Sequence, residues 1–136
     1  MTAATSIRTF IGAKDYTQSR AFYKALGFVE VPLGGKMSYF RVNENLGFYL
    51  QDYYVKDWVE NSMVFLEVEE LDAQHTIIRS LQLPSHFPGS RVSDIQENDW
   101  GREFFVHDPS GVLWHIGAFK QGPLGNPPAS LPPAGP

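Results

Sequence analysis

The chain has 136 residues, of which 43% are hydrophobic and 19% charged, a composition typical of one globular domain rather than of a disordered segment. Its net charge of −4 and the lack of a long basic run argue against nucleic-acid binding, and the lack of cysteine excludes disulfides, thiolate nucleophiles and cysteine-ligated zinc. No apolar run could act as a signal peptide or span a membrane, so we expect a cytoplasmic protein with no membrane partner.

The first half of the chain predicts a strand, a helix and three further strands. A short apolar run over residues 8–15 is followed by a helix with an apolar stripe. Asp15 or Thr17 can cap the start of this helix, and Gly27 can supply the left-handed residue just past its end. The strands that follow are predicted at residues 29–32, 37–42 and 46–51.

The second half repeats this pattern 55 residues later along the chain. A strand is predicted within residues 63–70, and the helix after it has Asp72 as its candidate cap and Pro84 as its terminator. Asp108-Pro-Ser-Gly111 is typical of a turn, with proline at its second position and glycine where a positive φ is needed. Three more strands are predicted at residues 91–95, 102–107 and 112–119.

The repeat predicts an α+β fold of two tandem βαβββ modules, at about residues 7–52 and 62–119. Because neither half can bury both faces of its sheet alone, we expect the two to form a curved eight-stranded mixed sheet around a cavity, with the helices outside. The alternative is an α+β sandwich in which the repeat is coincidental. Residues 1–119 are therefore predicted to form one domain, followed by a Pro/Gly-rich tail at residues 120–136 that can form neither helix nor ladder.

Three motifs resemble those of a known superfamily. The run Asp15-Tyr-Thr-Gln-Ser-Arg-Ala-Phe-Tyr-Lys-Ala-Leu-Gly-Phe28 is similar to its first-helix signature, and Asp108-Pro-Ser-Gly111 before an apolar strand is similar to its closing hairpin. The chain thus resembles the vicinal-oxygen-chelate superfamily, which includes glyoxalase I, extradiol dioxygenases and bleomycin-resistance proteins. Trp100-Gly101 resembles the bleomycin-resistance branch in particular. The resemblance runs from about residue 8 to residue 119.

Enzymes of this superfamily hold one divalent metal ion with side chains from the first and last strands of each module. The resemblance places those positions at Arg8, Tyr49, Met63 and His115. A guanidinium has no lone pair to offer and a thioether is a poor ligand for iron, manganese or zinc, so we predict no metal and no other cofactor. A shift in strand register would instead bring Gln51 and Glu67 to His115 as a displaced ligand triad.

The strand alternation and the flanking loops predict which side chains line the cavity. Most of them are aromatic, with a few separated polar groups, as expected of a pocket for a flat or partly apolar ligand. These candidate ligand-binding residues are Arg8, Phe10, Tyr39, Tyr49, Gln51, Trp58, Met63, Phe65, Glu67, Trp100 and His115.

The sequence therefore predicts a metal-independent small-molecule binding protein with no catalytic residue, whose role could be antibiotic sequestration. In the bleomycin-resistance branch two chains pair and the ligands sit in crevices at their interface, so the resemblance implies a homodimer. Glu67 and the acidic net charge suit a cationic ligand, whereas Arg8 suits an anionic group or a salt bridge with Glu67. Two alternatives remain: a metal-dependent lyase, isomerase or dioxygenase with a displaced metal site, and a partner-binding domain that acts through its tail.

Overall fold

A computed structural model describes residues 2–120, and these form two mixed β-sheets with helices. The N-terminal sheet has the strand order β1-β4-β3-β2, in which β1 and β4 are parallel and the other neighbours are antiparallel. Its elements are β1 (Phe10–Gly12), α1 (Tyr16–Ala25), β2 (Val29–Pro32), β3 (Met37–Arg41) and β4 (Gly47–Gln51).

The C-terminal sheet has the order β5-β9-β8-β6, with β7 paired to β8 and with β5 parallel to β9. Its first and last long strands are thus parallel neighbours, as in the N-terminal sheet, which argues against a coincidental repeat. Its elements, and the short helix that precedes them, are α2 (Lys56–Val59), β5 (Met63–Glu67), α3 (Leu71–Ser80), α4 (Leu83–His86), β6 (Arg91–Val92), β7 (Gln96–Glu97), β8 (Gly101–His107) and β9 (Leu113–Phe119).

Helix α1 begins and ends as the sequence predicts. The carboxylate of Asp15 accepts a hydrogen bond from the backbone N–H of Gln18 at 3.0 Å and so caps the helix. Gly27 follows the last turn with φ at +98°, a conformation that side chains disfavour. Thr17, the other candidate cap, lies inside the first turn.

Helix α3 differs from its prediction at both ends. Glu70 stands at its N-cap without a side-chain cap hydrogen bond, while Asp72 lies in the first turn and pairs with Arg102 at 2.8 Å. Pro84 does not end the helix, because α3 already stops at Ser80. Pro84 instead lies in the first turn of α4, where a missing N–H costs nothing.

One hydrophobic core lies between the two sheets and helices α1 and α3. Strand side chains alternate between faces, and one face of each sheet contributes to this core. Phe48 of β4 and Trp114 of β9 meet there directly, with ring centroids 5.3 Å apart. The core residues are Ile11, Ala13, Phe22, Tyr23, Phe40, Phe48, Leu50, Val59, Leu71, Ile78, Leu83, Phe104, Val106, Val112, Trp114 and Ile116.

This shared core corrects the expected arrangement within one chain, although the α+β class is confirmed. The two sheets have four and five strands and are separate, rather than joined into one eight-stranded sheet. Because both turn one face toward the common core, their other faces, here called the N-terminal and C-terminal outer faces, point away from each other. A single chain therefore does not enclose the predicted cavity between its two aromatic faces.

The two signature motifs meet inside the molecule and tie the two halves together. Tyr23 of α1 donates a hydrogen bond from its hydroxyl to Oδ2 of the buried Asp108 at 2.6 Å, and it accepts one from Nε1 of Trp114 at 3.0 Å. The other carboxylate oxygen of Asp108 accepts from the backbone N–H groups of Ser110 and Val112. The resemblance at these positions thus has a structural cause.

No helix among residues 2–120 is long and apolar enough to cross a membrane. The predicted Pro/Gly-rich tail lies outside the described residues from position 121 onward.

Candidate functional site

The N-terminal outer face carries a row of aromatic side chains. Phe10 of β1 pairs with Tyr49 of β4, which pairs in turn with Tyr39 of β3, so all three side chains emerge on the same side. The rings of Phe10 and Tyr49 are stacked with centroids 4.7 Å apart, and those of Tyr39 and Tyr49 are 5.4 Å apart. Phe10 remains 46% exposed, which leaves an open aromatic surface.

Arg8 lies on this aromatic row and not against an acidic partner. Its guanidinium donates a hydrogen bond to the Tyr49 hydroxyl at 2.9 Å and lies 4.5 Å from the ring centroid of Tyr39. The hydrogen bond to Tyr49 raises the pKa of Arg8 above its ordinary value. A salt bridge with Glu67, one of the two partners that the sequence suggests for Arg8, is not formed, and the charge of the exposed arginine lies beside two tyrosine rings instead.

The C-terminal outer face carries a second aromatic row. Phe65 of β5 lies in contact with the buried Trp100, with Phe119 and with His115, at ring-centroid distances of 5.8, 5.4 and 6.1 Å respectively. Gly101 allows this packing, because a Cβ there would lie 2.1 Å from the carbonyl oxygen of Ala118. The indole of Trp100 therefore lies next to the contact between Gly101 and Ala118, where the two backbones are too close for a side chain at position 101.

A buried acid that the sequence analysis missed lies behind His115. Glu103 of β8 is fully buried, and its Oε1 lies 2.8 Å from Nδ1 of His115. Its Oε2 accepts a hydrogen bond from Nδ2 of Asn98 at 3.2 Å. Phe105 also lies on this face and packs edge-on against the imidazole. The alternation of β8 could have revealed both residues, because they share the parity that opposes His115.

His107, to which the sequence assigned no role, lies on the same face, opposite Leu113. Burial lowers its pKa, and the nearby Arg91 and His115 lower it further. The neutral imidazole is therefore favoured at this position.

Glu67 occupies the row next to His115 and has an unsatisfied oxygen. It pairs with Gly117 of β9, which pairs on its other side with Glu103, so the two glutamates flank a residue that has no side chain. A Cβ on Gly117 would lie 2.8 Å from the Phe65 ring. The Oε2 atom of Glu67 is buried and has no hydrogen-bond partner among the described residues.

A cleft of about 1090 Å³ separates the edge of the N-terminal sheet from β5. It brings together three of the predicted site residues, Arg8, Phe65 and Glu67, from the two halves of the chain. Its full lining consists of Ser6, Ile7, Arg8, Thr9, Val42, Asn45, Leu46, Gly47, Phe48, Val64, Phe65, Leu66, Glu67, Glu69 and Trp114.

The remaining predicted residues divide between the two faces and a third place. Gln51 lies on the N-terminal outer face in register with Gly12 and Met37. Met63 lies on the C-terminal outer face and is 51% exposed. Trp58 lies in α2, where its ring contacts Tyr53 and also approaches the end of the N-terminal outer face, since a Cβ on Gly12 would lie 2.8 Å from it.

The donor set within one chain does not fit the metal ion that the superfamily implies. Arg8 and Tyr49 bond to each other on one sheet, while Met63 and His115 belong to the other. Gln51 likewise lies on a different sheet from Glu67 and His115, so the displaced triad is not assembled. Among residues 2–120 no group of three or more His, Asp or Glu side chains could hold a metal ion.

No protein-family model and no curated protein matches the chain. Its structure is similar to that of a bleomycin-binding protein complexed with bleomycin, with a TM-score of 0.70 and 17% sequence identity over 84% of this chain and 98% of that one. The bleomycin-binding protein of Streptomyces verticillus, complexed with copper(II)-bleomycin, gives a TM-score of 0.70 and 20% identity over 85% and 97% of the two chains. The chain has the fold of the bleomycin-resistance proteins. The resemblance found in the sequence is thereby confirmed at the level of the fold.

An antibiotic-binding protein from a Streptomyces species shares this fold, with a TM-score of 0.68 and 16% identity over 88% of this chain and the whole of the other. At these levels of sequence identity the similarity concerns the fold alone, and the bound ligands are those of the other proteins.

Proposed function

We propose that this protein binds a small molecule with an aromatic part, without a metal ion, and that antibiotic sequestration is its role. The observation that carries the proposal is the pair of aromatic rows on the two outer faces, each bordered by few polar groups. Flat ligands gain both apolar burial and offset stacking on such surfaces. The structures that share the fold include proteins bound to bleomycin and an antibiotic-binding protein, which supports this class of ligand.

We further propose a homodimer in which the N-terminal outer face of one copy stands opposite the C-terminal outer face of the other. Phe10 and Met63, one on each face, are 46% and 51% exposed, and a second copy placed in this way would cover both apolar side chains. The edge strands β1 and β5 each pair with one neighbour among the described residues, so each has a free edge for a second copy. Two equivalent ligand sites would then lie between the copies.

The first experiment is a titration of metal-free bleomycin in the presence of a chelator. We expect the melting temperature to rise by several degrees once the ligand exceeds its dissociation constant about a hundredfold, because binding to the native state stabilises it by about 2.7 kcal/mol. Tyr49→Leu should weaken binding by about tenfold through lost stacking. Tyr53→Leu is the matched control, because Tyr53 is exposed and lies outside both aromatic rows.

Two results would contradict these proposals separately. An unchanged melting temperature with bleomycin would contradict the antibiotic assignment, whereas equal affinities for the Tyr49 and Tyr53 variants would contradict the placement of the site. Sedimentation of the protein as a monomer at tens of micromolar would contradict the homodimer.

The alternative is a metal-dependent lyase, isomerase or dioxygenase, and the donor set described above does not favour it. Metal analysis of protein prepared without chelator tests it directly. About one equivalent of nickel, zinc, manganese or iron, lost together with an activity on chelation, would replace our proposal with an enzyme.

A further inference from the structure

The buried pair of Glu103 and His115 is unusual because it lies beside a group of aromatic side chains. Glu103 is fully buried and His115 is 4% exposed, and the imidazole packs against Phe65 and Phe105. Burying a carboxylate is expensive, and an apolar side chain of the same volume would satisfy packing alone. A buried acid bonded to a histidine beside the proposed ligand surface therefore indicates a function in recognition.

The contact fixes which nitrogen of His115 is left for another partner. With Glu103 as a carboxylate, its Oε1 can only accept, so Nδ1 is the donor in the 2.8 Å contact. Asn98 binds the other carboxylate oxygen and holds the acid in place. The opposite ring nitrogen, Nε2, has no hydrogen-bond partner among the described residues. In the neutral ring it is a lone-pair acceptor.

A second acceptor lies in the next row of the same face. Glu67 is separated from Glu103 only by Gly117, and its Oε2 is buried without a partner in the described part of the chain. Glu67 also lines the cleft beside β5, so a ligand in that cleft lies next to this side chain. The charged groups of this face near the pair are thus two carboxylates. Arg91 pairs in register with His107 at the far end of β8, and Arg8 lines the same cleft as Glu67.

We propose that Glu103 is a positioning residue that holds His115 with Nε2 outward, and that His115 Nε2 and Glu67 Oε2 together form a subsite for a ligand group with N–H donors. Amidinium, ammonium and carboxamide groups share this chemistry. Phe65, which contacts His115, supplies the flat surface for the part of the ligand next to that group. This inference rests on the proposed function and names the chemical class that the same site selects.

Three small probes that share one aromatic ring separate the possible ligand classes. Benzamidine presents charged N–H donors, benzamide presents neutral ones, and benzoate presents none. Affinities measured from chemical-shift changes at Phe65 and His115 should fall in that order, with benzoate at least tenfold weaker than benzamidine. Benzamide close to benzamidine would assign the subsite to neutral amides, and benzamide close to benzoate would assign it to cations.

Two variants test the roles of the acids. Glu67→Gln should weaken benzamidine by about tenfold and leave benzoate unchanged, and it should fold normally because its carboxylate oxygen Oε2 has no partner to lose. Glu103→Gln should weaken benzamidine similarly, and nitrogen-15 spectra of His115 should show that protonation at Nδ1 is no longer fixed. Glu97→Gln is the control, because Glu97 is an exposed acid that pairs with Arg102 outside the site.

Equal binding of benzamidine and benzoate would overturn the inference while leaving the proposed function standing. A wild-type His115 without a proton on Nδ1 would also overturn it, whether or not the Glu103 variant folds. If none of the three probes shifts a residue of either aromatic row, the inference fails. The bleomycin titration then decides the proposed function on its own.

Discussion

Single side chains of the signature motifs join the two halves of this protein through buried hydrogen bonds. Tyr23 lies in the first-helix motif and Asp108 in the closing turn, 85 residues apart in sequence, yet they share the shortest buried hydrogen bond at this junction. Trp114 completes the group from β9. The hydroxyl of Tyr23 bonds to both of the other side chains, so its removal leaves the Asp108 carboxyl oxygen and the Trp114 indole N–H without this partner.

We therefore expect Tyr23→Phe to lower the free energy of unfolding by about 2–4 kcal/mol, because Asp108 loses a donor and the Trp114 indole loses an acceptor. Chemical denaturation at a fixed protein concentration measures this. Tyr53→Phe, at an exposed tyrosine, should change stability by less than about 0.5 kcal/mol. Equal effects of the two substitutions would show that the junction contributes nothing.

At the same scale, the sequence predicts the aromatic residues of the site better than its polar ones. The parity of Phe10, Tyr49 and Phe65 follows from simple alternation along strands. The partner of Arg8 does not, because a guanidinium can be balanced by tyrosine rings as well as by an acid. Glu103 was missed because it stands between charged and aromatic neighbours, and burial of an acid is not visible in composition.

At the scale of elements, one ion-pair cluster fastens α1 to the edge of the N-terminal sheet. Glu30 of β2 accepts hydrogen bonds from Nε and Nη2 of Arg20 at 2.6 and 3.1 Å and from Oγ of Ser38 at 2.6 Å. Lys24 adds a further cation at 3.4 Å. These contacts, those with Arg20 above all, lower the pKa of Glu30 to about 2.

Because this pKa lies below the ordinary value of 4.5, the contribution of Glu30 is present above pH 4.5 and is lost as pH falls toward 2. We expect Glu30→Gln to lower the free energy of unfolding by about 1.5–3 kcal/mol at pH 7 and to flatten its fall between pH 4.5 and 2. Denaturant melts across that range measure both effects. Glu44→Gln, in an exposed hairpin, should leave the curve unchanged.

The longer elements were predictable and the shortest were not. The limits of β2 match the prediction, and those of β3, β4, β8 and β9 differ by one residue at most from it, because alternation and turn residues bound them. The helices α2 and α4 have four residues each and β7 has two, too few for a period to show. The sequence predicts that Pro84 ends a helix, although proline is also favoured in the first turn of a helix, where it lies here.

At the scale of the whole molecule, the repeat predicts the two sheets but not how they face each other. The alternation of apolar residues predicts that one face of a sheet is buried, yet it does not predict whether the residues that bury it belong to the same chain. Here Phe48 and Trp114 join the two sheets through their inner faces. The aromatic outer faces are consequently left uncovered within one chain and, in our proposal, receive a ligand and a second copy.

The junction between the two halves should respond to pH, because burial raises the pKa of Asp108 to about 6. A raised pKa means that the protonated acid stabilises the fold, so this contribution is complete below about pH 4 and is lost as pH rises through 6. We expect Asp108→Asn to remove a fall of roughly 1–3 kcal/mol between pH 4 and 7. Asp52→Asn, at an exposed acid, should retain that fall, and an identical slope in both variants would contradict the assignment.

The backbone contact at Gly101 restricts how a scaffold of this kind can diversify. A substituent there would push two hydrogen-bonded strands apart, since Ala118 O already occupies the space. In our proposal, changes in ligand preference would therefore arise around the indole of Trp100, through neighbours such as Phe65 and Phe119, while position 101 stays bare. Substitutions at these two neighbours can reshape the surface around the indole without disturbing the strand register on which it rests.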